Sequence, residues 1–102
     1  MWAIMKIKQK KIEKEKMDIS NWNSWSCEPS TFDWEYDEDE TAYVFEGKVI
    51  VQTPTEEVEV NSGSLVQFPK GLKCTWKVIE PIRKVYTFQK FDWAAWVKSL
   101  ED

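Results

Sequence analysis

The sequence predicts an all-β fold, a barrel or sandwich of short strands. Three observations lead there. Runs rich in β-branched and aromatic residues fill the stretch from Thr41 to Phe91. Turn formers separate them at Gly47, Thr53-Pro54, Asn61 to Gly63, Pro69 to Gly71 and Pro81. Several of the runs alternate apolar and polar residues with the period of two that a half-buried strand requires. Many short strands with closely spaced turns belong to sandwiches and barrels. The chain has 102 residues, which suits one domain with one hydrophobic core.

Residues 1–21 read as an N-terminal arm. Within it, Lys6 to Gln9 suits a short strand, and Lys10 to Met17 holds good helix formers that suit a turn or two of helix. Asn21 to Ser30 reads as a polar loop threaded with Trp22 and Trp25. Residues 22–91 form the expected barrel. Thr41 to Glu46 and Lys48 to Thr53 look like two strands joined tightly at Glu46-Gly47. Glu56 to Val60 alternates, with Val58 and Val60 on one face and Glu57 and Glu59 on the other. Leu65 to Phe68 is a further strand, stopped by Pro69-Lys-Gly71. From Leu72 to Val78, Cys74, Trp76 and Val78 share a face. Glu80-Pro81 is expected to break this run, and Arg83 to Phe91 to form the last strand. In residues 92–102 the pattern changes. Asp92 suits an N-cap, and Trp93, Trp96, Val97 and Leu100 recur at helical spacing, so an amphipathic C-terminal helix is expected.

Composition excludes several functions. The chain has no His. A His base, a Ser-His-Asp triad and a His-ligated metal are therefore impossible within it. A net charge of −4 argues against a nucleic-acid partner, which needs a basic face. The Lys-rich stretch Lys6 to Lys16 is interrupted by Glu13 and Glu15 and reads as a solvated surface. No run approaches the ~20 apolar residues of a membrane span. Met1 to Met5 is apolar but too short for a signal-peptide core, so a cytoplasmic protein with no membrane contact is expected. Two cysteines, Cys27 and Cys74, do not make a disulfide framework and are expected to be free thiols.

Four segments carry a family resemblance: Phe32 to Glu40, Tyr43 to Val49, Gly63 to Val78 and Glu80 to Tyr86. Together they resemble the small single-domain cupins grouped with the ureidoglycine aminohydrolase-type cupin domain, which implies an RmlC-like jelly-roll barrel over about residues 22–91. The most specific string is Phe68-Pro-Lys-Gly-Leu-Lys-Cys-Thr-Trp76. Cupins carry a first motif with two His, a Glu and a following Gly. Glu40 and Gly47 match its second half, while the His positions fall on Trp34 and Tyr36. In the second motif Gly63, Pro69 and Gly71 match, but the His position holds Cys74 and the Asn position Val78. The resemblance places the site inside the barrel at one mouth. Related enzymes hydrolyse amides or amidines with a metal, and that chemistry does not carry over to a chain lacking the His ligands.

The residues at these positions each have a plain reading and a functional one. Glu40 either caps a turn in solvent or is a carboxylate desolvated by aromatic walls and fitted to acid–base work. Cys74 is either a small buried hydrophobe or a nucleophile in need of a positive neighbour. Trp34, Tyr36, Trp76 and Tyr86 are either core or an aromatic cage for a flat or cationic ligand. Of Arg83 and Lys84, one is expected to face inward, to pair with Glu40 or to bind an anionic ligand. The acidic run Asp33, Glu35, Asp37, Glu38 and Asp39 reads as a solvated mouth loop, without the Gly of a regular Ca²⁺ loop.

The expected function is binding of a small molecule in an aromatic-lined pocket, without metal or other cofactor and with weak catalysis at most. Glu40 and Cys74 are the candidate catalytic groups. Trp34, Tyr36, Trp76, Tyr86 and Lys84 are the candidate ligand-binding ones. Two alternatives stand beside it. One is an interaction module whose Trp-rich C-terminal helix docks a partner or a second copy, giving a homodimer. The other is an atypical metallocupin using Glu40 and Cys74.

Overall fold

The structure is a computed structural model that describes residues 6–13 and 19–88. Among these residues the chain forms seven strands and no helix. They are β1 (Lys8–Lys11), β2 (Asn23–Cys27), β3 (Ser30–Glu35), β4 (Glu40–Gln52), β5 (Glu57–Asn61), β6 (Ser64–Phe68) and β7 (Lys73–Thr87). All their pairings are antiparallel. The all-β expectation therefore holds. The expected C-terminal helix of residues 92–102 lies outside the described residues.

Two long strands organise the molecule. β4 and β7 pair with each other from Thr41 opposite Thr87 to Gln52 opposite Thr75. On the other side of β4, β6 pairs with its first residues and β5 with its last. On the other side of β7, β3 pairs with its first half and β2 with its second. Each long strand thus serves two groups of neighbours, and side chains from both groups meet in one core. Val49, Val51 and Val60 come from one end, Ala42, Val66 and Ile82 from the other.

The sequence expectation of a tight turn at Glu46-Gly47 is corrected here, because β4 runs straight through it. The same holds for the expected break at Glu80-Pro81, which β7 crosses. The two signals are one irregularity. The register between the strands shifts where Val44 to Val49 faces Val78 to Lys84. Gly47 has φ +99, and a Cβ there would stand 2.2 Å from the Pro81 carbonyl oxygen. Only glycine permits this approach. A bulge also tolerates a proline that gives no ladder hydrogen bond. The inward set on β4 changes from Ala42 and Val44 before the bulge to Val49 and Val51 after it.

Three further expectations are revised. The polar loop Asn21 to Ser30 contains β2 and the start of β3. The first strand lies at Lys8–Lys11 rather than Lys6 to Gln9, so Lys10 and Lys11 are extended and not helical. It is held by pairing with β6, and the Ile12 N–H donates to the Gly63 carbonyl at 2.9 Å. The last strand, expected over Arg83 to Phe91, is the second half of β7 and ends at Thr87, while residues 89–91 lie outside the described residues.

Candidate functional site

A pocket of about 170 Å³ opens between β2, β3, the start of β4 and β7. Its walls are aromatic: Trp25, Phe32, Trp76 and Tyr86, with Trp34 and Phe88 beside them. Trp34 is 51% exposed and Phe88 49%, which marks them as the mouth. Trp25 meets Trp76 edge to face at 5.8 Å, and Phe32 stacks on Trp76 at 6.1 Å. Such arrangements suit the ring quadrupoles.

Local structure places each polar group. Tyr36 follows β3, and its backbone is gripped by the turn after β6. Its N–H donates to the Leu72 carbonyl at 3.0 Å, and its carbonyl accepts from the Gly71 N–H at 2.7 Å. Gly71, at φ +87, lets that turn close. The Asp39 carboxylate accepts from the Lys70 N–H at 2.7 Å, tying the acidic loop to the same turn. Glu40 then enters β4 facing inward. Inside, the Trp76 indole N–H donates to the Tyr36 hydroxyl at 3.2 Å, and Tyr36 stacks on Phe68 at 4.8 Å. Burial pushes the Tyr36 phenol above its ordinary range, with Glu40 and then Cys74 adding to the effect.

The centre of the site is Lys84. Its Nζ donates to Glu40 Oε2 at 2.6 Å, and both side chains are only 7% exposed. Its Nζ also stands 4.8 Å from the Trp76 ring, 5.1 Å from Trp25 and 5.4 Å from Tyr86. The aromatic cage therefore already holds a cation that belongs to the chain. Burial lowers the Lys84 pKa below the ordinary lysine value, against the opposing pull of Glu40. Removing one member of such a pair strands the other charge in the interior, a cost of about 3–5 kcal/mol. Arg83 points the other way and pairs with exposed Glu46 at 3.1 Å.

Of the residues singled out by sequence, the structure brings Trp34, Tyr36, Glu40, Trp76, Lys84 and Tyr86 to one pocket. Cys74 is not among its lining residues. It is buried behind Trp34, whose carbonyl lies 3.7 Å from Sγ. Burial pushes the Cys74 thiol up to about 11, with the charges of Asp33 and Glu40 also raising it. A thiol held protonated is a poor nucleophile and a poor metal ligand. The acidic residues Asp33, Glu35, Asp37, Glu38 and Asp39 are all exposed, as expected of a mouth. Sequence reasoning missed Trp25, Phe32 and Phe88. The signal was present in each case: Trp25 and Cys27 alternate with Ser24 and Ser26, and Phe32 and Phe88 sit two residues from Trp34 and Tyr86.

The pattern of the EutQ-like cupin domain matches residues 14–86. The chain belongs to the EutQ-like cupin family. A DUF861 family protein of Thermotoga maritima shares 42% identity with this cupin at a TM-score of 0.78, over 82% of this chain and all of that one. The EutQ protein of Clostridioides difficile superposes with a TM-score of 0.61 at 27% identity, over 85% of this chain and 70% of that one. A relative named acetate kinase EutQ, from Clostridioides difficile, is 35% identical over 66 residues. That match takes in 65% of this chain and 42% of the relative, so the cupin spans less than half of that relative's length.

The metal that the cupin fold implies does not fit these residues. The positions of the usual ligands hold Trp34, Tyr36 and Cys74, and the remaining one, Glu40, is occupied by Lys84. Among the described residues no three Cys, Asp or Glu side chains converge as a ligand set. No helix among them is long and apolar enough to cross a membrane.

Proposed function

We propose that this cupin binds a small molecule in the aromatic pocket without a metal, using the Lys84–Glu40 pair to meet the ligand's polar group. The observation that carries this reading is the pair itself: an ammonium and a carboxylate 2.6 Å apart in the wall of a pocket otherwise built from rings. A buried ion pair is weak evidence of a role in stability, because hydrophobic replacements are often as stable. Its place beside a concave, apolar space fits the general form of a ligand site. The volume, about 170 Å³, suits a molecule near the size of benzene. A neutral ligand with one polar group is favoured, since an added ion would unbalance a charge pair that is already complete.

Other chemistries have less support. Acetate kinase activity, named for a relative, needs a cradle for nucleotide phosphates. This chain's glycines, Gly47, Gly63 and Gly71, serve a bulge and two turns, and the pocket is far smaller than a nucleotide. Hydrolysis of the ureidoglycine aminohydrolase kind needs the ligands that Trp34, Tyr36 and Cys74 replace.

The reading is tested by a thermal-shift screen of benzene-sized amides, alcohols, amines and carboxylic acids. A ligand that binds only the folded state stabilises it by about 2.7 kcal/mol at a hundred times its Kd. At least one class should raise the midpoint, and Glu40→Gln should weaken the effect. A flat response from every class would end the proposal.

A further inference from the structure

We propose that Lys84 is a carbonyl-reactive amine, and that a small aldehyde or ketone with an apolar body enters the aromatic pocket and forms a Schiff base on its Nζ. This rests on the reading of the pocket as a small-molecule site and names the substrate class.

The geometry supplies what the reaction needs. A lysine attacks a carbonyl only as the neutral amine, and enclosure in apolar surroundings favours that form. Lys84 is enclosed by Trp25, Trp76 and Tyr86 yet lines the open pocket. The downward shift of its pKa by burial points the same way. Glu40 Oε2, at 2.6 Å, is placed to accept the ammonium proton. The other buried nucleophile, Cys74, is outside the lining and stays protonated.

The step balances without a further reagent. Glu40 takes one proton from the ammonium. The Nζ lone pair bonds to the carbonyl carbon, and the carbonyl π pair moves to oxygen, which takes the proton from Glu40. A second proton moves from nitrogen through Glu40 to that oxygen. The C–O bond then breaks, water leaves, and the nitrogen lone pair closes the C=N bond. The product is an iminium ion facing the Glu40 carboxylate. One positive and one negative charge stand in the pocket before and after, and the rings around Nζ still face a cation. The space of about 170 Å³ takes a one-ring aldehyde.

The test treats the full chain with benzaldehyde at neutral pH, reduces any imine with cyanoborohydride, and maps the modified lysines by peptide mass spectrometry. A lowered pKa raises the free-amine fraction at neutral pH. Lys84 should therefore carry more label than exposed Lys70 or Lys73. The preference should vanish in denaturant, a control that does not depend on any variant folding. Lys84→Arg should lose the preferential label while keeping a cation beside Glu40. Uniform labelling, or labelling that spares Lys84, would overturn the proposal. Benzamide, which has the same shape without a reactive carbonyl, separates the two readings. Stabilisation by benzamide without label at Lys84 would leave the pocket a binding site and remove the covalent step. Neither stabilisation nor label would remove both.

Discussion

Lys84 and Glu40 show how one neighbour changes the meaning of a residue. The cupin motif favoured an inward Glu40 over a solvated cap, and one of Arg83 and Lys84 was expected to face inward beside it. Which one turns in is set by strand phase: Ile82, Lys84 and Tyr86 share the inner face, so Arg83 points to solvent. Tyr36 allows a prediction at this scale. Its phenol is held un-ionised in the folded state, whereas in the unfolded chain it ionises near 10.0. Above that pH the unfolded chain binds fewer protons than the folded one, so stability falls as pH rises. Below it the tyrosine contributes fully, partly through the Trp76 hydrogen bond, and Tyr36→Phe should cost about 1–3 kcal/mol. The gap between wild type and Tyr36→Phe should then narrow by about 1.4 kcal/mol per pH unit above 10.0. Cys74 and Lys84 titrate in both proteins and cancel from the comparison. Urea denaturation between about pH 9 and about pH 11 measures it, and a constant gap would show that Tyr36 ionises freely in the folded protein.

Among the elements, strands with clear alternation were readable, and two of the errors, at Gly47 and at Pro81, share one place. Gly47 and Pro81 are strong local punctuation, so each read as a strand end. In the fold they face each other across β4 and β7, and together they make a bulge. A sequence shows the local signal but not the partner more than thirty residues away, and pairing decides whether Gly means a turn or a bulge. Asn23 to Cys27 failed for a different reason. Its Ser and Asn residues suggest a loop, yet they occupy the exposed face of a strand whose inner face is Trp25 and Cys27. The bulge has a direct consequence. Gly47→Ala would place a methyl 2.2 Å from the Pro81 carbonyl oxygen at a φ of +99. It should cost more than the ~1–3 kcal/mol of backbone strain alone. Pro81→Ala should cost much less, because the clash lies with the carbonyl that every residue carries. Equal costs in chemical denaturation would contradict this account of the bulge.

For the whole molecule, the question is how a sheet with two long central strands ends at its sides. β6 would present an open edge if β1 did not cover it. β1 pairs with Ser64 to Gln67, the Ile7 N–H donates to the Glu56 carboxylate at 3.1 Å, and Ile7 itself reaches the core. The Tyr43 hydroxyl donates to the Ile12 carbonyl at 3.2 Å, so the same segment closes over β4. Within the Lys-rich stretch, which reads in the sequence as a solvated surface, Lys8–Lys11 is thus a sheet strand with an apolar anchor at Ile7. Lys8 and Lys11 are exposed, and charge along the strand discourages pairing with other chains. Deleting residues 1–13 removes the strand, the anchor and the charges together. Loss of one buried Ile side chain alone costs about 2 kcal/mol or more. The shortened chain should therefore melt lower than the full chain. Its uncovered β6 edge should also drive association that grows with concentration, visible in sedimentation velocity. A deletion that lowered the midpoint without added association would mean that β1 acts through Ile7 and its hydrogen bonds, and that the edge of β6 needs no cover.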